Sequence, residues 1–214
     1  MTTLFFVRHG QSTANLLRVF AGQKDYPLTE LGLRQAEKGA EFLKKNFQID
    51  VIYSSPLLRA KETAVPTARL YGLEITVLED LRERSVGVWA GKSNREIEEL
   101  YPEMYYAHKK RMGVVPPGGE DLDQIQERVE RAVMHILAEA KGKSVAVFTH
   151  AGVFSALIKT WRQMLPDFAD ALVFGNSSIT AIEYDDEGVA RRVVLKNYQD
   201  HLGEDVTVLP PGLI

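Results

Sequence analysis

The sequence contains no cysteine. Disulfide bonds, thiolate nucleophiles and cysteine-ligated zinc are therefore excluded, and because the absence fits a reducing compartment we expect a cytoplasmic location. The chain also lacks a run of about 18 apolar residues, which a membrane-spanning helix would need. No basic segment followed by a long apolar stretch lies near its amino terminus, so we expect no signal peptide.

The sequence has no excess of basic over acidic residues either. The chain has 26 basic and 29 acidic side chains and a formal net charge of −3. No overall basic field would attract a nucleic acid or an anionic membrane, and we expect neither as a partner. Any site for an anion must therefore be local.

Apolar residues, by contrast, are abundant enough for one sizeable core. The chain has 214 residues, of which 45% are apolar, and this fits a single α/β domain over residues 1–214. The sequence leaves open whether the chain is a monomer or a homodimer.

Short runs rich in β-branched and aromatic residues alternate with helical patterns. The predicted strands are Leu4–Val7, Val51–Tyr53, Ile75–Leu78 and Val145–Phe148, with a hairpin of Ser178–Glu183 and Arg191–Leu195. The predicted helices are Thr29–Phe47, Pro56–Tyr71 and Gly119–Lys141, and the last carries an apolar stripe that begins at Leu122. The alternation predicts a three-layer α/β/α sandwich with a mostly parallel central sheet and an antiparallel edge.

The segment 89–119 is the least regular part of the sequence. It combines tyrosines, the basic run Lys109, Lys110 and Arg111, and a Pro-Pro-Gly-Gly stretch. We interpret it as a helical and loop excursion over the active site, because such excursions often shape substrate pockets. The basic run could bind an anion, although a charge run is usually a solvated helix face.

Chemically versatile side chains follow the predicted strands directly. The first strand is followed by Arg8 and His9, the strand near residue 148 by His150, and the second strand by a segment that ends in Arg59. In parallel α/β sheets the carboxyl ends of the strands meet at one crevice. A single histidine at a strand end is more often structural, but two in matching contexts with arginines beside them indicate a phosphoryl-transfer pocket.

The patterns of metal and nucleotide sites are absent. There is no HExxH motif or carboxylate cluster, and arginines beside the histidines would repel a divalent cation. Gly87–Ser93 has one spacer residue too few for a P-loop, and Gly142-Lys143-Ser144 precedes a strand instead of following one. No GxSxG elbow supports a serine hydrolase. We expect neither a metal nor a cofactor.

Four segments occur in the order RHGQSTAN, YSSPLLRAKETA, LRERSVGVWAG and VFTHAG. Together they resemble the motifs of the histidine phosphatase superfamily, also called the phosphoglycerate mutase-like family. The resemblance runs from Leu4 to about Leu202 and implies a phosphoglycerate mutase-like fold.

The resemblance also implies roles for individual residues. His9 is expected to be the nucleophile that becomes phosphorylated, and Glu83 the acid that protonates the leaving oxygen and later helps water attack. Without the resemblance, Glu83 would be interpreted as a solvated charge. The phosphoryl group is expected to be held by Arg8, Arg59 and His150, with Asn15 as a helper; Gln23 and Arg84 are further candidate substrate contacts.

Hydrolysis of a small phosphorylated metabolite is the function we predict first. A phosphoglycerate mutase is the alternative, but only 67 positions (150 − 83) separate Glu83 from His150, whereas mutases of the family carry a longer insertion there. A regulatory protein that binds a phosphorylated ligand without turnover is a second alternative. The remaining histidines, His108, His135 and His201, are predicted to have no catalytic role.

Overall fold

Six strands form one sheet in the computed structural model, which describes residues 1–110, 113–168 and 173–206. The strands are β1 Thr2–Arg8, β2 Val51–Ser54, β3 Ile75–Val77, β4 Ser144–Thr149, β5 Ile179–Tyr184 and β6 Ala190–Tyr198. Their order is β3-β2-β4-β1-β5-β6. Neighbours from β3 to β1 run parallel, whereas β5 is antiparallel to both β1 and β6, as the sequence predicted.

Helices cover both faces of this sheet. In the described part of the chain they are α1 Thr13–Leu17, α2 Glu30–Asn46, α3 Leu58–Tyr71, α4 Asn94–Leu100, α5 Pro102–Lys109, α6 Leu122–Glu139 and α7 Ala151–Met164. One apolar core lies between the sheet and α6 and α7, and a second lies between the sheet and α2 and α3. The predicted three-layer α/β/α sandwich is confirmed.

The predicted helix starts were wrong at two places. Helix α6 begins at Leu122 instead of Gly119, because the Asp121 carboxylate accepts a hydrogen bond from the backbone N–H of Gln124 at 2.7 Å and caps the helix. Helix α3 begins at Leu58, so Pro56 precedes the helix instead of lying in its first turn. Both errors concern where a helix begins and not its existence.

The register of the two central strands positions the candidate site. Arg8 at the end of β1 pairs with Thr149 at the end of β4, so the residues that follow, His9 and His150, leave the sheet side by side. The backbone N–H of His9 still donates to the carbonyl of Thr149 at 2.9 Å. No helix of the described residues has the length and apolar content that crossing a membrane requires.

Candidate active site

A cavity of about 470 Å³ opens at the carboxyl ends of β1 and β4. Six of the predicted site residues line it: Arg8, His9, Asn15, Arg59, Glu83 and Arg84. His150 lies directly behind, with its ring centroid 5.2 Å from that of His9. Gln23 is not part of the lining.

His9 is held as a neutral imidazole with one nitrogen free. Its Nδ1 lies 2.7 Å from the carbonyl oxygen of Gly10, which can only accept, so Nδ1 carries the hydrogen and Nε2 keeps its lone pair. Burial first, and then the positive charges of Arg59 and Arg8, hold the pKa of His9 well below its usual value. The Nε2 atom can therefore attack an electrophile at neutral pH.

The backbone of His9 is fixed from a second side by the segment 175–178. The side-chain amide of Asn176 donates to the carbonyl of His9 at 3.0 Å, and the N–H of Ser177 donates to the same carbonyl at 3.2 Å. Ser177 adopts a φ of 53°, a left-handed conformation that non-glycine residues seldom adopt. These two hydrogen bonds limit the freedom of His9 to move from its position at the end of β1.

His150 is completely buried and bonded on one side only. The Ser55 hydroxyl lies 2.7 Å from its Nε2 and also accepts from the backbone N–H of Leu57, so its hydrogen is available for Nε2. This leaves Nδ1 of neutral His150 as the donor, and Nδ1 has no hydrogen-bond partner among the described residues. Burial, together with Arg59 and His9, lowers the pKa of His150. A buried donor of this kind suits an anion oxygen.

Two guanidinium groups bring unbalanced positive charge to the same place. Arg59 is buried, and its Nη1 and Nη2 donate to the carbonyls of Lys24 and Gly22 at 3.0 and 2.9 Å. The buried Arg8 donates to the carbonyl of Phe174. Burial lowers the pKa of Arg8 to about 10, so it stays charged at neutral pH. Within the described residues neither arginine forms an ion pair with a carboxylate, and a dianionic phosphoryl group would supply the missing charge.

The amide of Asn15 is oriented by the turn that opens α1. Its Oδ1 accepts from the backbone N–H and the hydroxyl of Ser12, both at 3.0 Å. The Nδ2 atom is therefore the part of the amide left to donate, and Asn15 lines the cavity. This geometry suits a contact with a phosphate oxygen.

Glu83 approaches the cavity on a loop between β3 and α4. Its Oε1 accepts from the backbone N–H groups of Arg84 at 2.7 Å and of Gly152 at 3.0 Å, the latter in the first turn of α7. A Cβ atom at position 152 would lie only 2.1 Å from this oxygen, so only glycine allows the contact. With Oε1 occupied, Oε2 is the oxygen that can carry and transfer a proton.

A buried arginine that the sequence analysis missed supports the Glu83 loop. Arg128 of α6 donates to the backbone carbonyls of Asp80 at 2.8 Å, Arg82 at 2.7 Å and Glu83 at 3.1 Å. Its Nε also pairs with Glu120 Oε1 at 2.7 Å. We call Arg128 and Glu120 the loop brace, because together they fix the backbone on both sides of the acid.

Gln23 and Arg84 contact the same loop brace. Gln23 Nε2 donates to the carbonyl of Glu83 at 3.0 Å and to Glu120 Oε2 at 3.4 Å, and Arg84 Nε donates to the carbonyl of Glu120 at 2.8 Å. Arg84 lines the cavity, whereas a substrate contact by Gln23 stays a prediction for which Gln23 would have to leave this bond or use another atom.

The 89–119 segment contributes Trp89, His108, Val114 and Pro116 to the cavity. His108, for which no catalytic role was predicted, packs on Trp89 with ring centroids 5.2 Å apart. Lys109 and Lys110 do not line the cavity, and Arg111 lies outside the described residues. In the described part of the chain, no three His, Asp or Glu side chains form a group that could hold a metal ion.

Comparison with known proteins gives one family. The model of the histidine phosphatase superfamily (branch 1) matches residues 4–198. A metal-independent phosphoserine phosphatase of Arabidopsis thaliana is 38% identical over 160 residues, which cover 73% of this chain and 67% of that protein. A 2,3-bisphosphoglycerate-dependent phosphoglycerate mutase of Parvibaculum lavamentivorans is 30% identical over 208 residues, covering 92% of this chain and 98% of the mutase.

The fold has a close counterpart among solved structures. YhfR of Bacillus stearothermophilus superposes with a TM-score of 0.85 at 29% identity, over 94% of this chain and 100% of that one. Some relatives are considerably longer: matches at 34% identity in Mycobacterium cover 74% of this chain but only 43% of the relative. The similarity to those proteins therefore concerns one part of each.

Proposed function

The chain belongs to the histidine phosphatase superfamily, and from this premise we propose that it hydrolyses phosphomonoesters through a phosphohistidine intermediate without a metal ion. The observation that carries the proposal is the neutral, buried His9 with a free Nε2 beside two buried arginines that form no ion pair with a carboxylate among the described residues. A small phosphorylated metabolite as substrate and a cytoplasmic location are part of the same proposal. So is the expectation that neither a nucleic acid nor a membrane is a partner.

In the first step the lone pair of His9 Nε2 forms a bond to phosphorus while the ester P–O bond breaks. Glu83 Oε2 gives its proton to the leaving oxygen, so the alcohol departs as a neutral molecule. Arg8 and Arg59 stabilise the charge on the phosphoryl oxygens, and the rigid strand end keeps His9 aligned with the bond that breaks.

In the second step water attacks the phosphorus of phosphohistidine. The Glu83 carboxylate accepts a proton from this water, the P–N bond breaks, and inorganic phosphate leaves. His9 returns to its neutral form and Glu83 to its protonated form, so no external proton donor or co-reactant is needed.

Two observations favour hydrolysis over mutase activity. The relative named as a phosphatase is more similar than the mutase, at 38% against 30% identity, although over a shorter stretch. Lys109 and Lys110, the described residues of the basic run that could have held a second phosphate, do not line the cavity. The free Nε2 of His9 and the carboxyl group of Glu83 support turnover over a role in ligand binding alone.

A labelling experiment tests the proposal. Wild-type protein mixed with a ³²P-labelled monoester should acquire acid-labile, base-stable label and release phosphate, whereas His9→Ala should do neither. His135→Ala, an exposed histidine of α6, is the matched control. A wild-type protein that never labels and never releases phosphate would refute the proposal. Interconversion of 3- and 2-phosphoglycerate without phosphate release would establish the mutase instead.

A further inference from the structure

Apolar side chains form much of the cavity beyond the phosphoryl-binding residues. The apolar wall consists of Leu16, Phe20, Trp89, Val114, Leu122 and Ile125. The cavity volume of about 470 Å³ is within the range of sites that enclose a drug-sized molecule, and it exceeds what a phosphate and three carbons require. The excess volume is therefore available to the leaving group of a substrate.

The deeper part of this wall is a preformed aromatic cluster. Phe20 and Trp89 have ring centroids 5.8 Å apart, and His108 packs edge-on against both, at 6.4 and 5.2 Å. Burial, followed by Lys109 and Arg84, lowers the pKa of His108, so it adds a neutral ring to the cluster at neutral pH. The cluster offers flat apolar surface, no positive charge and one buried donor, Trp89 Nε1, that has no hydrogen-bond partner among the described residues.

The outer part of the wall is exposed to solvent. Leu16 and Leu122 line the cavity with 63% and 56% of their surface accessible. Leu122 begins the predicted apolar stripe of α6, but unlike Ile125 in the same stripe, which is 1% exposed, it is not buried. Exposed apolar surface beside a catalytic group gains free energy when a ligand covers it.

Several polar atoms elsewhere in the lining are bonded to the protein itself. The hydroxyl of Ser155 donates to the carbonyl of Ala151 at 3.1 Å, and Gln11 Oε1 accepts from Thr29 at 2.8 Å. Arg84 Nε donates to the carbonyl of Glu120, so only its two Nη groups remain to donate. Arg18 lines the cavity but is exposed to solvent, where a single cation binds a carboxylate weakly. A sugar or an amino acid would find few buried partners here.

We infer that the preferred substrate is a phosphate monoester of a bulky apolar alcohol, whose alkyl or aryl group packs on the apolar wall while its phosphate faces His9. The inference rests on the proposed function and adds the class of leaving group. Small, highly polar monoesters such as phosphoserine and phosphoglycerate should be poor substrates, because they would leave the wall uncovered.

A homologous series of substrates tests this class. In n-alkyl phosphates from ethyl to octyl the leaving alcohols have nearly equal basicity, so differences in kcat/KM report burial of the chain and not chemistry. We expect kcat/KM to rise about threefold to fourfold per methylene until the wall is covered, and octyl phosphate to exceed phosphoserine and 3-phosphoglycerate by at least about 100-fold.

A matched pair of variants tests whether the rise of kcat/KM with chain length depends on the apolar wall. Leu16→Ser removes a wall residue, whereas Leu17→Ser changes the next residue of α1, which is 64% exposed and does not line the cavity. Leu16→Ser should flatten the rise with chain length, and Leu17→Ser should keep it. Both sites are on the surface, so neither change should prevent folding.

The outcomes separate this inference from the function on which it rests. A flat or falling alkyl series, phosphoserine as the better substrate, or an equal slope in both serine variants would overturn the apolar leaving group while the enzyme remained a phosphatase. Absence of both phosphate release and phosphohistidine with every monoester would instead overturn the proposed function.

Discussion

The two ends of the site are built differently. At the phosphoryl end Arg8 is the last residue of β1, His9 and His150 follow β1 and β4, and Arg59 lies in the first turn of α3. All four are at most 5% exposed. At the leaving-group end Glu83 and the apolar wall belong mainly to loops and short helices that are partly exposed. Backbone hydrogen bonds of the sheet fix the phosphoryl end. Hydrogen bonds from side chains to a few backbone atoms fix the leaving-group end.

In the proposed reaction this difference separates two requirements. In-line attack on phosphorus tolerates little error in position, so its groups lie on the most rigid elements. Leaving groups vary in size, and loops can change without disturbing the sheet. Substitutions at the phosphoryl end should therefore lower activity on all substrates, and those at the other end should depend on the leaving group.

The largest effect is expected at Arg59. Arg59→Lys keeps the positive charge but replaces the planar guanidinium by a single ammonium group. One ammonium group cannot donate to the carbonyls of Gly22 and Lys24 and bind a phosphate oxygen at the same time. We expect kcat/KM to fall about 10³-fold for p-nitrophenyl phosphate and alkyl phosphates alike. Arg69→Lys on the exposed side of α3 is the control, and a loss confined to one substrate class would contradict the comparison.

Glu83→Gln should show the largest difference in lost activity between substrates with poor and with good leaving groups. The amide cannot donate a proton to the leaving oxygen, so alkyl phosphates should lose about 10²-fold or more in kcat. A good leaving group such as p-nitrophenolate needs no proton, and its first step should change much less. Single-turnover rates of phosphorylation measure this; equal slowing of both substrates would refute the role as general acid.

A smaller effect is expected from Gly152→Ala. The new methyl group would lie 2.1 Å from Glu83 Oε1, so the carboxyl group must shift. We expect about a tenfold loss with alkyl phosphates and little loss with p-nitrophenyl phosphate. Gly39→Ala in α2 is the matched control, since its Cβ would come no closer than 3.7 Å to the nearest side chain. Equal losses in the two variants would show that the glycine acts on folding and not on Glu83.

The loop brace should affect stability and the acid together. Arg128→Met leaves the partly buried Glu120 without its ion-pair partner and leaves three backbone carbonyls without the arginine donor, and we expect about 2–4 kcal/mol lower stability by urea unfolding. Glu120→Gln in the same background should recover part of that loss. If the loop brace positions Glu83, the single and the double variant should both lower the kcat for alkyl phosphates more than the kcat for p-nitrophenyl phosphate. An equal fold-loss of kcat for the two substrates would mean that the loop brace has a purely structural role.

The phosphoryl end could be predicted from the sequence better than the leaving-group end, and the reason is physical. Residues at strand ends are recognisable because the apolar run marks the strand and parallel strands place their ends together, which brought Arg8, His9 and His150 to one point. Arg128 was missed, because helical periodicity assigns a charged residue to solvent and says nothing about distant carbonyls. The exposure of Leu122 could not be predicted either, since periodicity assigns a residue to a helix face without revealing a cavity beside it.

Histidine burial also predicts how stability depends on pH. The folded protein holds the pKa of His9 and His150 well below 6.5 and that of His201 near 4, mainly through burial. Below pH 6.5 the unfolded chain therefore binds more protons than the folded one, and stability falls as the pH decreases. Carboxylates with lowered pKa values contribute only nearer pH 4, so the window from pH 7 to 5 reports mainly the histidines.

His201 allows the smallest of these effects to be measured away from the active site. Its ring stacks on Phe42 and Tyr198 at centroid distances of 5.3 and 5.6 Å, and phenylalanine can replace it without adding a charge. Wild-type stability should lose about 1–2 kcal/mol between pH 7 and 5 through His201, allowing for solvent screening of a partly buried ring. His201→Phe should have a correspondingly shallower pH slope in urea unfolding, while His135→Gln at an exposed position should keep the wild-type slope. An unchanged slope in His201→Phe would mean that the ring accepts a proton in the folded protein, and that the loss of stability arises at the two buried histidines of the phosphoryl end.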